Sequence, residues 1–140
     1  MQNKEKIGSF FPGNFDTSKP ATPFFLYEFE KIPLLTSIPF NTVLLFLDDR
    51  KDYYTVLRIW DNKDTLLMND ESMMISGPQL LKGVYSVFND HSIGASFRIT
   101  TIPLTISGGT YKATLDLYDS SKTELLDTKT TYFYTTISKA

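Results

Sequence analysis

Two segments of this 140-residue chain repeat one pattern of residue types. Residues 53–67 (YYTVLRIWDNKDTLL) align with residues 111–126 (YKATLDLYDSSKTELL), with one inserted residue before the final Leu-Leu pair of the second copy. Each copy alternates apolar and polar residues, passes through an Asp-led turn and then becomes apolar again. That order predicts a β-hairpin. Hairpins at 53–68 and 111–134 predict an all-β protein.

The composition agrees with an all-β fold and argues against several classes of function. The chain has eleven Phe, eight Tyr and one Trp, and aromatic residues are favoured on pleated surfaces. Its length is that of a single domain with one core. A net charge of −2 supplies no broad positive field, so we expect no nucleic-acid partner. The absence of cysteine excludes disulfides and thiolate metal ligands.

Apolar segments in the sequence are short. The first twelve residues lack the apolar stretch of a signal peptide, and the longest apolar run, residues 43–47, is far too short to cross a bilayer as a helix. We therefore expect a cytoplasmic protein with no membrane partner, or alternatively a phage-encoded protein that is released by lysis.

The chain divides into an arm and one domain. Residues 1–22 contain Gly and Pro without periodicity and predict an extended N-terminal arm; residues 23–140 form the single predicted domain. Residues 42–48 are apolar at successive positions, as in a central strand that is covered on both sides. Residues 69–83 show little regular pattern apart from one possible helical turn that begins near Gly77. We predict about eight strands and at most one short helix.

The strand that begins at Gly109-Thr110-Tyr111 and ends in an Asp-led turn resembles the late strands of immunoglobulin-like sandwiches. More narrowly, residues 42–61, 102–104 and 109–119 are similar to small bacterial immunoglobulin-like proteins of unknown function. The resemblance implies an immunoglobulin-like antiparallel β-sandwich. It implies no functional residue, because a fold does not determine a function.

The residues needed for catalysis or metal binding are sparse. His91 is the single histidine and lies in the polar stretch 89–92, which predicts a solvated loop residue and not a catalytic base. One histidine without cysteine cannot form a zinc site. Aspartates at predicted turns leave calcium as a minor alternative, although neighbouring lysines and arginines neutralise them and turn aspartates bond locally to the backbone. These are Asp48, Asp49, Asp52, Asp61, Asp64 and Asp119. We expect no catalytic residue, no metal, no cofactor and no enzymatic activity.

The two repeats differ on their outward faces. Alternation predicts that Tyr53, Leu57 and Ile59 point to the core, as do Tyr111, Leu115 and Leu117 in the second copy. The outward residues of the second copy are those of an ordinary wet surface: Lys112, Thr114, Asp116 and Tyr118. Those of the first copy are largely apolar and aromatic: Tyr54, Val56, Arg58 and Trp60.

The outward row at 54–60 is the candidate binding site. Tyr, Trp and Arg are enriched at interface hot spots, so this row predicts a non-enzymatic binding or structural module that contacts a protein partner or a second copy of itself. Two alternatives stay open. The row could be covered within the chain by residues 69–83 or by the arm. The chain could also be a ligand- or carbohydrate-binding barrel or sandwich, such as a phage or cell-envelope recognition domain, with Trp60 stacked on a sugar.

Overall fold

A computed structural model describes residues 4–16, 23–80, 86–89 and 91–138. These residues form eleven strands and one single-turn helix, which confirms the all-β prediction; the short strands raise the number above the predicted eight. The elements are β1 (Lys6–Pro12), β2 (Leu26–Phe29), β3 (Leu34–Thr36), β4 (Pro39–Asp48), β5 (Asp52–Trp60), β6 (Leu66–Ser76), α1 (Gly77–Leu80), β7 (Ser86–Asn89), β8 (Ser92–Thr100), β9 (Leu104–Ile106), β10 (Gly109–Asp119) and β11 (Leu125–Ile137).

Two sheets form the sandwich. One has four strands in the order β1-β4-β8-β7, and the other has five in the order β2-β11-β10-β5-β6. Strands β3 and β9 pair as a separate ribbon. All pairings are antiparallel except that of β2 with β11. Both predicted hairpins are present, as β5–β6 and β10–β11, and β4 has the predicted central position between β1 and β8.

The repeated segments pair with each other at the centre of the five-stranded sheet. Leu57 of β5 lies opposite Leu115 of β10, the residue with which it aligns in the repeat. Around this pair the two strands are related by a local twofold axis. Tyr54 therefore faces Tyr118 at one end, and Trp60 faces Lys112 at the equivalent position at the other end.

In both Asp-led turns the leading aspartate accepts hydrogen bonds from the backbone of its own turn. In each turn the aspartate Oδ1 accepts hydrogen bonds from backbone N–H groups further along the chain. The donors, at 2.9–3.0 Å, are Lys63 and Thr65 for Asp61, and Thr123 and Glu124 for Asp119. The N–H of Glu124, together with other donors in the turn, holds the pKa of Asp119 below its usual value. The inserted residue lengthens the second turn by one position, so its closing carbonyl is that of Glu124 and not of Thr123.

The leading tyrosine of each repeat fastens the loop before its strand. The Tyr53 hydroxyl accepts a hydrogen bond of 2.7 Å from the Asp48 N–H. In the second copy, the Tyr111 hydroxyl accepts one of 2.8 Å from the Ser107 N–H and donates one of 3.1 Å to the Ser107 carbonyl. Burial raises the pKa of Tyr53 far above its usual value, so its hydroxyl stays protonated. The repeat therefore conserves a fastening role as well as a hairpin shape.

The core lies between the two sheets. All six residues that were predicted to point inward from the repeats are buried: Tyr53, Leu57, Ile59, Tyr111, Leu115 and Leu117. Phe133 of β11 joins the sheets, since its ring stacks on Tyr111 at a centroid distance of 5.0 Å and meets the edges of Tyr27 at 5.7 Å and Phe40 at 6.1 Å. Aromatic packing of this kind adds to the stabilisation that burial alone provides.

The described part of the predicted arm, residues 4–16, contains a strand of the sandwich. Strand β1 pairs antiparallel with β4, and the Phe10 ring is buried against Phe40 at a centroid distance of 5.2 Å. A bulge between Ile7 and Ser9 shifts the register, which interrupts the period-2 alternation on which the sequence prediction depended. The predicted boundary at residue 22 lies outside the described residues.

The described part of the predicted segment 69–83, residues 69–80, contains more regular structure than predicted; residues 81–83 lie outside the described residues. Strand β6 continues through the polar stretch to Ser76, and the expected helical turn follows as α1. Register shifts at two places in the β5–β6 pairing break the alternation that would have marked this strand. Gly77 follows the strand at a position that requires glycine, because a Cβ atom there would overlap the carbonyl oxygens of Asp48 and Lys51. Its N–H donates to the Lys51 carbonyl at 2.8 Å.

Replacing Leu115 with alanine should lower the free energy of unfolding by roughly 2–5 kcal/mol, because the side chain is fully buried and its removal leaves a cavity. Urea denaturation measures the change. The control is Thr130→Ala on the solvent side of β11, which should alter stability by less than about 0.5 kcal/mol. A Leu115→Ala protein as stable as this control would contradict the inward orientation of β10.

Candidate binding surface on the five-stranded sheet

The residues that point away from the core on the three inner strands of the five-stranded sheet form what we call the outer face. Strand register places them in transverse rows across the sheet. They are Tyr54, Val56, Arg58 and Trp60 of β5; Lys112, Thr114, Asp116 and Tyr118 of β10; and Thr128, Thr130, Tyr132 and Tyr134 of β11. The four candidate residues of the first repeat thus share one face as predicted. Val56 is nevertheless buried, and the other three are half-buried.

A polar network occupies the middle of the outer face. Arg58 Nη1 lies 2.6 Å from Asp116 Oδ2, and the Thr128 hydroxyl donates a hydrogen bond of 2.6 Å to Asp116 Oδ1. The expectation that Asp116 is an ordinary wet residue is wrong, because cross-strand neighbours bury it and satisfy both of its oxygens. Arg58 is correspondingly engaged within the chain.

Lysines from the second repeat lie over the aromatic rings of the first. Lys112 Nζ is 5.1 Å from the centre of the Trp60 ring, and Lys122 Nζ is 4.5 Å from the centre of the Tyr54 ring. Contacts of this type contribute roughly 0.5–1 kcal/mol at exposed sites. The second repeat therefore covers part of the aromatic surface of the first repeat. The described parts of the two segments expected to cover it lie elsewhere, since β6 runs alongside β5 and β1 belongs to the other sheet.

An exposed aromatic surface remains at one end of the outer face. We define the aromatic band as Trp60, Tyr132, Tyr134 and Phe25. Register places Tyr132 opposite Lys112, which in turn faces Trp60. Tyr132, Tyr134 and Phe25 are 54%, 48% and 52% exposed. An open groove of about 430 Å³ runs beside them, and its lining includes Thr110 and Thr130.

Sequence reasoning did not find most of the aromatic band. The run Thr131-Tyr132-Phe133-Tyr134-Thr135 alternates strictly, with the two tyrosines exposed and the three other residues buried. This alternation was a usable signal, because the inward Phe133 marks both tyrosines as outward. Their proximity to Trp60, two strands away, depends on register and not on any local pattern.

The remaining sequence candidates are turn residues. His91 is exposed, and its Nδ1 lies 3.0 Å from Asp49 Oδ1, which agrees with a solvated loop histidine. Within the described ranges, no group of three or more His, Asp or Glu residues is arranged to hold a metal ion. The helix among those residues lacks the length and apolar character needed to cross a membrane.

Comparisons with known proteins identify a fold and no family. No protein-family model matches the chain, and no curated protein matches it in sequence. Among solved structures, the C-terminal domain of Wzt is similar over 99% of this chain and 77% of its own, with a TM-score of 0.60 and 14% identity. A Bacteroides uniformis β-glucuronidase is similar over 93% of this chain, with a TM-score of 0.57 and 12% identity.

These likenesses support a β-rich sandwich domain at the level of fold alone. The chain spans only 14% of the β-glucuronidase, and the same holds for a B. uniformis β-glucuronidase 2 covalently bound to cyclophellitol-6-carboxylate aziridine. Neither neighbour is named as an immunoglobulin-like protein, so the comparisons support a β-rich domain, and the narrower resemblance to small bacterial immunoglobulin-like proteins stays a prediction. Such a fold, with an exposed aromatic band, is compatible with a binding module.

Replacing Asp116 with asparagine should destabilise the domain by roughly 1–3 kcal/mol, because the amide cannot accept both existing hydrogen bonds and leaves Arg58 without a counter-charge. Thermal and urea unfolding measure the effect. Lys129→Ala, at an exposed position of β11, is the control and should change stability by less than about 0.5 kcal/mol. Equal stability of the two variants would show that the network contributes nothing.

Proposed function

We propose that this domain is a non-enzymatic binding module and that its aromatic band contacts a protein partner. The main support for this proposal is that Phe25, Tyr132 and Tyr134 are exposed on one open surface beside Trp60. Aromatic residues of this size are the usual anchors of protein interfaces, and contiguous exposed apolar patches mark interaction sites.

The charges next to the aromatic band indicate which charge a partner surface should have. The carboxylate of Asp116 neutralises Arg58. Lys112 lies between Trp60 and Tyr132 with its Nζ over the Trp60 ring, and it forms no ion pair within the described part of the chain. The complementary partner therefore has an apolar centre flanked by an acidic side chain that reaches Lys112. A second copy of this chain is the homomeric version of the same proposal.

A carbohydrate ligand is the second candidate, and one observation favours it. The groove beside the aromatic band is lined by Tyr132 and Tyr134 together with the hydroxyl-bearing Thr110 and Thr130. Aromatic rings with nearby hydrogen-bonding groups suit the apolar faces and hydroxyls of sugars. The likeness to a β-glucuronidase is in line with this candidate, although it concerns the fold of a small part of that enzyme.

Replacing Trp60 with glutamate should abolish partner binding, because it places a carboxylate within the aromatic band. The matched control is Leu35→Glu, a substitution at an exposed apolar residue of the β3–β9 ribbon. Sedimentation velocity detects self-association. Quantitative pull-down with each variant compares the partner recovered, and titration with oligosaccharides tests the second candidate.

The outcomes separate the possibilities. Loss of the partner with Trp60→Glu, and its retention with Leu35→Glu, supports the proposal. Retention of the partner by both variants overturns it. Oligosaccharide binding that disappears with Trp60→Glu would instead show that the aromatic band is a carbohydrate site. If Trp60→Glu fails to fold, Tyr132→Ala replaces it, since Tyr132 is exposed and its truncation should leave the core intact.

A further inference from the structure

A cleft lies at the end of the sandwich where three turns converge. It has a volume of about 640 Å³, and a pocket of this size is in the range of small-molecule sites. The β4–β5, β7–β8 and β10–β11 connections form its rim. Its lining contains Glu5, Phe46, Tyr53 and Leu126, which belong to neither the outer face nor the aromatic band.

Glu5 lines this cleft with a nearly buried carboxylate. The residue is only 8% exposed, and the Tyr53 hydroxyl donates a hydrogen bond of 2.9 Å to Glu5 Oε2. Among the described residues this is the one hydrogen bond that the Glu5 side chain makes. Every fully buried polar side-chain atom there has a partner, so Glu5 Oε1 keeps some accessible surface.

The cleft lining also contains the basic residues Lys4, Arg50, Lys51 and His91, and within the described part of the chain none of them forms an ion pair with Glu5. The ion pairs found within the described part of the chain are Arg50–Asp48, Arg58–Asp116 and His91–Asp49. Arg50 holds Asp48 through two hydrogen bonds, 2.9 Å from Nε and 2.8 Å from Nη2, and these hold the pKa of Asp48 near 2. A carboxylate as buried as that of Glu5 is costly without a counter-charge or further donors.

Phe46 supplies an apolar wall in an unusual backbone conformation. Its φ of 60° lies in the left-handed region, where a bulky residue is an outlier. The residue lies at a register shift between β4 and β8, and its side chain is 41% exposed on the lining of the cleft. Strained residues of this kind concentrate at ligand sites.

We propose that the end cleft binds an alkylammonium group, with the ammonium on Glu5 and the alkyl stem against Phe46 and Leu126. Tyr53 contributes indirectly, because its hydroxyl donates to Glu5 and thereby orients the carboxylate. The Asp48 N–H in turn occupies an acceptor site of the Tyr53 oxygen. The remaining oxygen of the ionised Glu5 side chain can only accept hydrogen bonds, which suits an ammonium donor. Either a free amine or the lysine side chain of a peptide could supply this group.

The test is an NMR titration of the intact chain with n-pentylammonium, with 1-pentanol as the uncharged match. A second arm uses Nα-acetyl-lysine amide, which separates a lysine source from a free amine. We expect the amides of Glu5, Phe46 and Tyr53 to shift with pentylammonium at millimolar concentration and not with pentanol. Saturation by pentanol at the same concentration would overturn the role of the charge.

Two variants test whether Glu5 and Phe46 form the binding site. Glu5→Gln keeps an acceptor for the Tyr53 hydroxyl while it removes the charge, and should weaken pentylammonium binding at least tenfold. Phe46→Asn removes the ring with a residue that tolerates a left-handed φ. It should therefore weaken binding, and a wild-type circular dichroism spectrum checks that the variant is folded.

Leu35→Ala on the β3–β9 ribbon is the control, because this exposed residue lies in neither proposed site, and it should bind pentylammonium like the wild type. Failure of the proposed outer-face function would leave this result unchanged, so the two proposals fail separately. The absence of shifts in the wild type overturns the inference, and so does unchanged affinity in folded Glu5→Gln.

Discussion

The packing of Phe133 between the two sheets is the interaction on which the rest of the structure depends. Its ring is buried against Tyr111 of the same sheet and against Phe40 of the opposite sheet. Because neighbours along a strand point to opposite faces, the inward position of Phe133 directs Tyr132 and Tyr134 to solvent. The contact that closes the core therefore also places two of the four residues of the aromatic band on the surface.

On the outer face, some side chains are engaged by contacts within the sheet, and others remain available to a binding partner. In its middle, Arg58, Asp116 and Thr128 satisfy one another across three strands. At the ends, Lys112 and Lys122 lie over rings of the first repeat. The proposed contact surface lies where these internal contacts stop, at the side of the sheet nearest β2. The end cleft differs, since there the nearly buried Glu5 carboxylate accepts one hydrogen bond, from Tyr53, and its second oxygen is the proposed acceptor for an ammonium ligand.

The internal repeat forms the centre of the five-stranded sheet. Both copies supply a hairpin, an aspartate that caps the turn and a tyrosine that fastens the preceding loop. Their pairing about Leu57 and Leu115 brings the aromatic outward row of one copy against the cationic residues of the other. The outward residues of 54–60 share one face as predicted, whereas their role as an interface stays a prediction. Three of the four residues of the aromatic band come from outside that row, namely Tyr132 and Tyr134 of β11 and Phe25.

The sequence by itself determined the all-β class, both hairpins, their turns and the inward residues of the repeats. Alternation and turn chemistry are local, so a short window contains the whole signal. Only the tertiary structure decided that β1 belongs to the sandwich, that β6 continues through a polar stretch, and that Glu5 meets Tyr53 across 48 positions of sequence. Bulges in β1 and along the β5–β6 pairing break the local period. The neighbours of Trp60 and Glu5 depend on strand register between distant segments, which no short stretch of sequence encodes.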